Sequence, residues 1–375
     1  MAAIPQSAMQ DPTLAAIDRE VERRASLEQP RPYLGASIIG TECERRLWYG
    51  FRWAAVEQFG AATLYRFEDG HRTEDLQASR LRLVPGLELH TLDPVSNRQF
   101  AVSDFGGHFR GHMDGAVLGI LQAPKTWHVW EAKAVNDEKL AKLGKLKTEV
   151  GEKQTLAAWD PVYYAQAIIY MDYTGMTRHY LTASSPGGRV TDSVRTNADA
   201  LVAATLKAKA ERVIFAGEPR PKMSEDPAWY QCKWCPAHDV CHGQKLPPVH
   251  CRTCAHATPE RDGSWSCTLL LKTLPINEQR LGCPQHRYIP ALITYASATD
   301  ADPVGNWIEY RTDDGRVFRN GDPQAGAYSS EDLRAIDPRL VGDPGLTQIL
   351  SEFGATIPPA EKPAWNRPAP AWGVR

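Results

Sequence analysis

The chain has 375 residues, of which 42% are hydrophobic and 23% are charged. This composition excludes a wholly disordered chain, and the length predicts roughly two to three folded domains. Lysine and arginine number 43 against 45 acidic residues, for a net charge of −2. That balance excludes a histone-like polycation but leaves nucleic acid open as a partner, because binding depends on local charged patches.

The cysteine content is the first feature that needs an explanation. The first residues lack a charged start followed by an apolar run, and the longest apolar stretches, 165–171 and 289–295, are shorter than the roughly 20 residues of a membrane helix. We therefore expect a cytoplasmic protein with no membrane partner. Disulfides rarely persist there, so the eight cysteines need another use.

The predicted elements begin with helices and continue with short strands. Amphipathic patterns predict helices in three segments: 17–28, 37–53 and 61–83. Short apolar patterns then predict strands in four segments: 87–92, 99–103, 107–118 and 126–134. The following stretch, 136–153, is polar and rich in lysine, and we expect it to be a mobile insertion.

The next elements have clearer boundaries. Asp160 is a good N-cap, and Pro161 suits the first turn of the helix that follows it. A strand is predicted at 177–183, and a long amphipathic helix at 196–215. The last 18 residues, 358–375, are predicted to form a tail.

The cysteines fall into two groups with metal-ligand spacing. The downstream group has four thiols within 33 residues, enough for a tetrahedral zinc site: Cys251, Cys254, Cys267 and Cys283. The upstream group has only three: Cys232, Cys235 and Cys241. A four-thiolate site there needs a distant fourth ligand, and Cys43 is the remaining cysteine. Taken alone, Cys43 is better explained as a small buried apolar residue.

Two predicted strands carry a carboxylate constellation. Alternate side chains of a strand share one face, so Glu131 and Lys133 point the same way. If the two strands pair as a hairpin, Asp114 lies beside Glu131. Together with the backbone carbonyl of Ala132 they would form an oxygen site for Mg²⁺ or Mn²⁺, and Lys133 would serve the attacking water. The alternative is a pair of surface strands with a solvated ion pair.

Three further polar residues occur in helices that suit the same site. Gln166 and Tyr170 are four apart on the helix capped by Asp160, so they share a face and could hold a DNA strand or orient Lys133. His71 could supply an imidazole to the metal. Each of them alone would more often be ordinary helix surface.

One ordered set of motifs resembles the PD-(D/E)XK nuclease superfamily, in particular its RecB-like branch: His71, Asp114, Glu131-x-Lys133 and Gln166-x3-Tyr170. The chain is also similar to the iron–sulfur members of that branch, the CRISPR-associated exonucleases and the AddB helicase–nuclease domain. Those proteins ligate a [4Fe–4S] cluster through one cysteine before the nuclease core and three after it. The resemblance therefore implies that Cys43 is the fourth ligand beside the upstream triplet, and that Gln166 and Tyr170 belong to the catalytic site.

The resemblance also implies the fold and the organisation of the chain. We expect an α/β restriction-endonuclease-like core, in which a mixed central sheet is flanked by helices, with an iron–sulfur-stapled cap and a small zinc ribbon-like module. Four regions are predicted: an N-terminal extension (1–32), the nuclease domain with its cluster (33–245), a zinc-binding module (246–292) and an acidic, proline-rich region (293–375). The amino-acid sequence around 136–139 and 163–166 is similar to that of phage-encoded members. This similarity implies a protein of a bacterial cell or a phage-infected host.

Arginines and aromatic residues interleave near the first cysteine. This mixture is typical of grooves that stack bases and hold phosphates, and it predicts four DNA contacts: Arg45, Arg46, Trp48 and Arg52. The alternative is a helix with an aromatic core face and arginines in solvent.

The residues and the resemblance together predict a metal-dependent DNA exonuclease that acts on single strands or DNA ends. Recombination, repair or replication would be its setting, with a protein of one of those processes as a further partner. A structure- or sequence-specific endonuclease is one alternative. A non-catalytic adaptor on a nuclease fold is another, and the intact Asp114, Glu131 and Lys133 argue against it.

Overall fold

Helices and strands alternate through the computed structural model, which describes residues 11–366. The elements up to residue 174 are α1 (Pro12–Leu27), β1 (Leu34–Gly35), α2 (Glu44–Phe51), α3 (Ala61–Leu81), β2 (Glu88–His90), β3 (Ala101–Asp104), β4 (Phe109–His112), β5 (Gly115–Leu118), β6 (His128–Ala134), α4 (Asp137–Val150), α5 (Glu152–Trp159) and α6 (Pro161–Thr174). Those after it are β7 (Arg178–Ser184), β8 (Thr191–Asn197), α7 (Ala200–Phe215), α8 (His238–Cys241), β9 (Ala257–Pro259), β10 (Trp265–Cys267), β11 (Lys272–Thr273), α9 (Ile276–Gln279), β12 (Ala296–Asp302), β13 (Trp307–Thr312), β14 (Val317–Asn320), α10 (Ser330–Ala335) and α11 (Pro344–Glu352).

A five-stranded sheet with the order β2-β5-β6-β7-β8 forms the centre of the molecule. The β6–β7 pair is parallel and the other pairs are antiparallel, so the sheet is mixed. On one face, Ala78 of α3 packs with Val117 and Trp130. Leu156 and Ala167, from α5 and α6, belong to a second buried cluster with β7 and β8. The structure thus has the mixed α/β class predicted from the sequence.

The predicted strand 107–118 is in fact two strands in two sheets. β4 pairs with β1 and β3, whereas β5 belongs to the central sheet. The chain changes sheets at Met113 and Asp114. This break leaves Asp114 at the beginning of β5, where its side chain can reach the neighbouring strand β6.

The prediction of a mobile insertion at 136–153 is wrong. Asn136 caps α4, and its Oδ1 accepts a hydrogen bond from the N–H of Lys139 at 2.7 Å. Leu140 and Leu143 are both buried. They lie three residues apart and therefore on one helix face. Lys142 and Lys145 are exposed, whereas Lys139 and Lys147 are half-buried and pair with Asp160 and Asp192. The many lysines make the short apolar stripe hard to detect in the sequence.

Two other boundaries differ from the predictions. The helix predicted at 196–215 begins at Ala200, behind the N-cap Asp199, and Thr196 is already the end of a strand. The helix predicted within 37–53 is shorter and is capped by Cys43. Side chains that hydrogen-bond to the first free N–H groups fix both starts.

Two small antiparallel sheets follow the central sheet in the chain, β9–β10–β11 and β12–β13–β14. In the latter, the C-terminal sheet, Tyr310 and Phe318 stack at 5.3 Å between ring centroids. Trp365 is buried and contacts Trp53 and His250, with ring centroids 6.0 and 5.7 Å away. The tail prediction is therefore wrong for 358–366, and residues 367–375 lie outside the described part. Over residues 11–366, no helix is both long and apolar enough to cross a membrane.

The domain boundaries stay a prediction. One buried apolar cluster extends from Leu34 through Trp48 and Trp265 to Phe318. The cysteine module and the C-terminal sheet therefore share their packing with the first half of the chain.

The buried stripe of α4 predicts that this segment contributes to stability. Leu143→Ala should lower the free energy of unfolding by about 2–4 kcal/mol, because Leu143 is fully buried and its truncation leaves a cavity. Lys142→Ala, on the exposed face, is the matched control and should change it by less than about 0.5 kcal/mol. Chemical denaturation measures both variants, and equal effects would contradict the packing of α4.

Candidate active site

The pairing of β5 with β6 brings the first carboxylate of the site into place. Gly115 lies opposite Trp130 in this antiparallel pair. A Cβ at Gly115 would come within 2.5 Å of the carbonyl oxygen of His90 and 3.1 Å of the Trp130 ring, so the close approach requires glycine. Asp114, directly before it, accepts a hydrogen bond on Oδ2 from the N–H of Ala132 at 2.8 Å.

Glu131 and Lys133 extend from the same face of β6, as the period of a strand requires. Lys133 Nζ lies 3.4 Å from Glu131 Oε2. The Glu131 side chain is 2% exposed and that of Lys133 is 19% exposed. The carboxylate is thus removed from water while its ammonium partner keeps partial access to solvent.

The face of α6 supplies the remaining partners of Glu131. Gln166 donates a hydrogen bond from Nε2 to Glu131 Oε1 at 3.2 Å, and the same nitrogen lies 3.3 Å from the hydroxyl of Tyr170. Tyr170 in turn donates to the carbonyl oxygen of His112 at 2.8 Å. Gln166 and Tyr170 therefore connect the end of β4, just before Asp114, to the carboxylate on β6.

A third carboxylate, that of Glu74 on α3, lies near the site and was not predicted from the sequence. Glu74 is half-buried, and burial, followed by the charge of Asp114, raises the pKa of Glu74 to about 7. His71 lies one turn earlier and is exposed, and it too interacts electrostatically with Asp114. The spacing of three residues between His71 and Glu74 was the available signal, because it places both on one helix face.

The electrostatics of the site are those of several acids that lie close together, of which Glu131 is the most buried. Burial, opposed by Lys133 and reinforced by Asp114, raises the pKa of Glu131 to about 8. Burial also raises the pKa of Asp114. The pKa of Lys133 is raised as well, because Glu131 and Asp114 outweigh the cost of burying its charge. The site therefore keeps Lys133 protonated, but this single positive charge does not bring the pKa of Glu131 back to its ordinary value.

The upstream cysteines surround one cavity. Cys43 lies at the N-cap of α2, where its sulfur accepts a hydrogen bond from the N–H of Arg46 at 3.4 Å. A cavity of about 430 Å³ is lined by all four thiols of the predicted set: Cys43, Cys232, Cys235 and Cys241. Burial, followed by the proximity of Cys43, raises the pKa of Cys232. The fold therefore brings the distant Cys43 to the triplet.

The downstream cysteines surround a second, smaller cavity. It measures about 210 Å³ and is lined by the four thiols of the other set: Cys251, Cys254, Cys267 and Cys283. Burial, followed by the other thiols, raises the pKa of Cys251 to about 12. All eight cysteines are free thiols.

Neither the carboxylates nor the thiols are already arranged around a single metal position. Over residues 11–366, no three His, Cys, Asp or Glu side chains are arranged to hold one metal ion. Asp114 and Glu131 instead accept hydrogen bonds from protein donors, namely Ala132, Lys133 and Gln166. An ion would have to displace some of these donors or draw the thiols inward.

Two of the four predicted DNA contacts are wrong. Trp48 is fully buried and donates from Nε1 to the carbonyl oxygen of Ala216 at 2.9 Å. Arg52 is 2% exposed and donates to the carbonyl oxygen of Ala257 at 2.9 Å. Both therefore build the core. Arg46 is exposed, and Arg45 is half-buried and donates to the carbonyl oxygen of Arg220, so their contact with DNA stays a prediction.

Comparison with known proteins gives only distant structural matches. No protein-family model matches the chain, and no curated protein does. SSO0001 has 15% identity and a TM-score of 0.36, covering 62% of this chain and 98% of its own. An alkaline exonuclease from Laribacter hongkongensis has 16% identity and a TM-score of 0.33, covering 52% of this chain and 90% of its own. The structure of its complex with dAMP has 15% identity, the same TM-score and the same coverage. TM-scores below 0.5 do not establish a shared fold, so the assignment of function rests on the site.

The raised pKa of Glu131 predicts how stability depends on pH. A carboxyl with an ordinary pKa of 4.5 in the unfolded chain and about 8 in the folded protein keeps its proton longer when folded. Stability should therefore fall as the pH rises between those values, by up to about 1.4 kcal/mol per pH unit. Glu131→Gln, which is neutral throughout, should remove the part of the decline that comes from Glu131, whereas the raised pKa of Glu74 leaves a smaller one.

Denaturation in a chelator at pH 5 to 9 measures the effect. Glu138→Gln, on the exposed face of α4, is the control and should keep the decline of the wild type. An equal decline in the Glu131→Gln variant would show that Glu131 is ionised throughout this range.

Proposed function

We propose that this chain is a metal-dependent deoxyribonuclease of the PD-(D/E)XK type, and specifically an exonuclease. The observation that carries the proposal is the cluster of Asp114, the buried Glu131 and Lys133 on paired strands of a mixed sheet. Solvated surface strands, the alternative from the sequence, would not bury Glu131 to 2% exposure.

The chemistry of the donors supports a divalent cation. Besides burial, the charge of Asp114 raises the pKa of both Glu131 and Glu74, and Glu74 raises that of Glu131 further. A hard dication would offset this repulsion. In the proposal Asp114 and Glu131 bind Mg²⁺ or Mn²⁺, with Ala132 O and His71 as further ligands and Glu74 beside them. When bound, the ion would supply charge stabilisation at the phosphoryl group and a more acidic water.

The remaining residues position the reacting groups. The Lys133 ammonium lies beside both acids and keeps partial solvent access, so it would orient the attacking water and offset the charge that develops on the phosphate. Gln166 fixes the Glu131 carboxylate, and Tyr170 fixes Gln166. Their role is thus to position the carboxylate, and the site needs no nucleophilic side chain.

The two cavities support different occupants. We propose a [4Fe–4S] cluster at Cys43, Cys232, Cys235 and Cys241, since four thiolates are its usual ligation and the larger cavity suits a polynuclear group. We propose a single Zn²⁺ at Cys251, Cys254, Cys267 and Cys283, in the smaller cavity. Both would be structural centres, as the resemblance to the RecB-like iron–sulfur branch implies for the upstream set.

Charge-neutral substitutions in the site test the enzyme. Asp114→Asn keeps an acceptor for the Ala132 N–H but loses the charge, so it should weaken Mn²⁺ binding and lower the rate of DNA cleavage by at least about 100-fold. Lys133→Met should lower the cleavage rate to a similar degree while Mn²⁺ still binds. Titration calorimetry and an assay on labelled linear DNA separate the two effects.

The controls are Asp137→Asn and Lys142→Met, both on exposed positions of α4, which should retain wild-type cleavage. If the wild-type protein cleaves no DNA, with or without Mn²⁺, the nuclease proposal is wrong and the non-catalytic adaptor is favoured. Cleavage of closed circular DNA would replace the exonuclease by an endonuclease.

Metal content tests the cysteine assignments. Anaerobically purified protein should be brown and carry about four iron atoms and one zinc atom per chain. Cys232→Ser should lose the iron and the colour and keep the zinc, whereas Cys267→Ser should lose only the zinc. Elemental analysis with visible absorption measures both, and zinc at both sites would contradict the cluster.

A further inference from the structure

One face of α3 is buried in its second half and open in its first half. Thr73, Gln77 and Ala78 lie on this face and are 2–3% exposed against the central sheet. With 3.6 residues per turn, Arg66 and Gly70 continue the same face toward the N-terminus. The first half of α3 contacts α1 through Ala61 and Tyr65, but it leaves this face open next to the turn that carries His71 and Glu74. We call residues 66–70 the α3 overhang.

Phe67 is an unexplained aromatic on this overhang. Its side chain is 46% exposed, and its one ring contact is an edge-to-face pair with Phe59 at 5.0 Å. It lies seven residues before Glu74, two turns along the same face and about 10 Å away. A ring at that distance is about one or two nucleotides from the carboxylates.

Gly70 separates Phe67 from the site. It lies in the interior of a 21-residue helix, where glycine is less favourable than alanine by about 1 kcal/mol. Nothing in residues 11–366 requires glycine here, since a Cβ at this position would meet none of their atoms within 4 Å and its φ is not positive. A bare backbone between an exposed ring and an acidic site leaves room for something outside the chain.

Arg66 adds the matching charge. It is exposed, bonds only to Ala62 O and Thr63 Oγ1, and forms no ion pair within residues 11–366. It lies four residues before Gly70 and therefore on the same side of the helix. An unpaired guanidinium beside an exposed ring suits a strand with an anionic backbone and stacking bases.

We propose that the overhang of α3 binds the single strand that leads into the carboxylate site. One base stacks on Phe67, the sugar–phosphate backbone passes over Gly70, and Arg66 contacts a phosphate. This rests on the proposed nuclease function and names the substrate feature that it recognises: an unpaired nucleotide beside the scissile bond.

Substitutions at Phe67 and Gly70 test the proposal with a fluorescent oligo(dT) probe and Ca²⁺ in place of Mg²⁺. Phe67→Leu should weaken binding roughly tenfold, whereas Phe67→Tyr, which keeps the ring, should bind like the wild type. Neither should change the hydrolysis of thymidine 5′-p-nitrophenyl phosphate, which is too short to reach Phe67.

Gly70→Ala should raise the melting temperature by roughly 2 °C and still weaken oligonucleotide binding. Gly144→Ala is the matched control, because Gly144 is also interior to a helix and its Cβ would meet no atom closer than 3.4 Å. It should raise the melting temperature and leave binding unchanged.

The outcomes distinguish this proposal from the proposed function. Normal oligonucleotide binding by Phe67→Leu and Gly70→Ala, in a chain that cleaves DNA, would overturn the α3 strand site and leave the nuclease standing. A wild-type chain that neither binds the oligonucleotide nor cleaves DNA would overturn both.

Discussion

The burial of the Glu131 carboxyl group is the constraint on which the candidate site depends. A buried acid without partners costs several kcal/mol, so it is either protonated or matched by donors and cations. Lys133, on the same strand, and Gln166, on α6, donate to Glu131. The N–H of Ala132 donates to the adjacent carboxylate, Asp114. The break between β4 and β5, the glycine at 115 and the cap at Asp160 all set these donors in place.

Two buried positive charges are subject to the same constraint near the downstream cysteines. Arg52 and Arg252 are both buried, and within residues 11–366 neither forms an ion pair with a carboxylate. They donate instead to backbone carbonyls and, for Arg252, also to Gln279 Oε1. Both lie over the ring of Trp265, at 5.0 and 4.5 Å. Burial lowers the pKa of Arg52 to about 10, and the sulfur of Cys254 opposes this. Thiolates at the downstream set would thus supply the missing negative charge.

Sequence reasoning succeeded where the chemistry is local. The helix start at Asp160 follows from a side chain that bonds to nearby N–H groups, and the shared face of Glu131 and Lys133 follows from the strand period. It failed for Trp48 and Arg52, because the pattern of arginines and aromatics does not say which face of the helix meets the core. Glu74 was missed for a related reason: its importance comes from its distance to Asp114, and the two are far apart in the sequence.

The eight-residue helix α2 joins the two sulfur sites. Cys43 caps its N-terminus and lines the upstream cavity, whereas Arg52 follows its C-terminus and interacts with Cys254 of the downstream set. The helix is about 12 Å long and its middle is rigid, because Leu47, Trp48, Tyr49 and Phe51 are buried. A change in the charge of either sulfur set would therefore act on the same short, rigid element. Metal centres at both sets, as proposed, would hold the two ends of this helix, which is a physical reason for one chain to keep both.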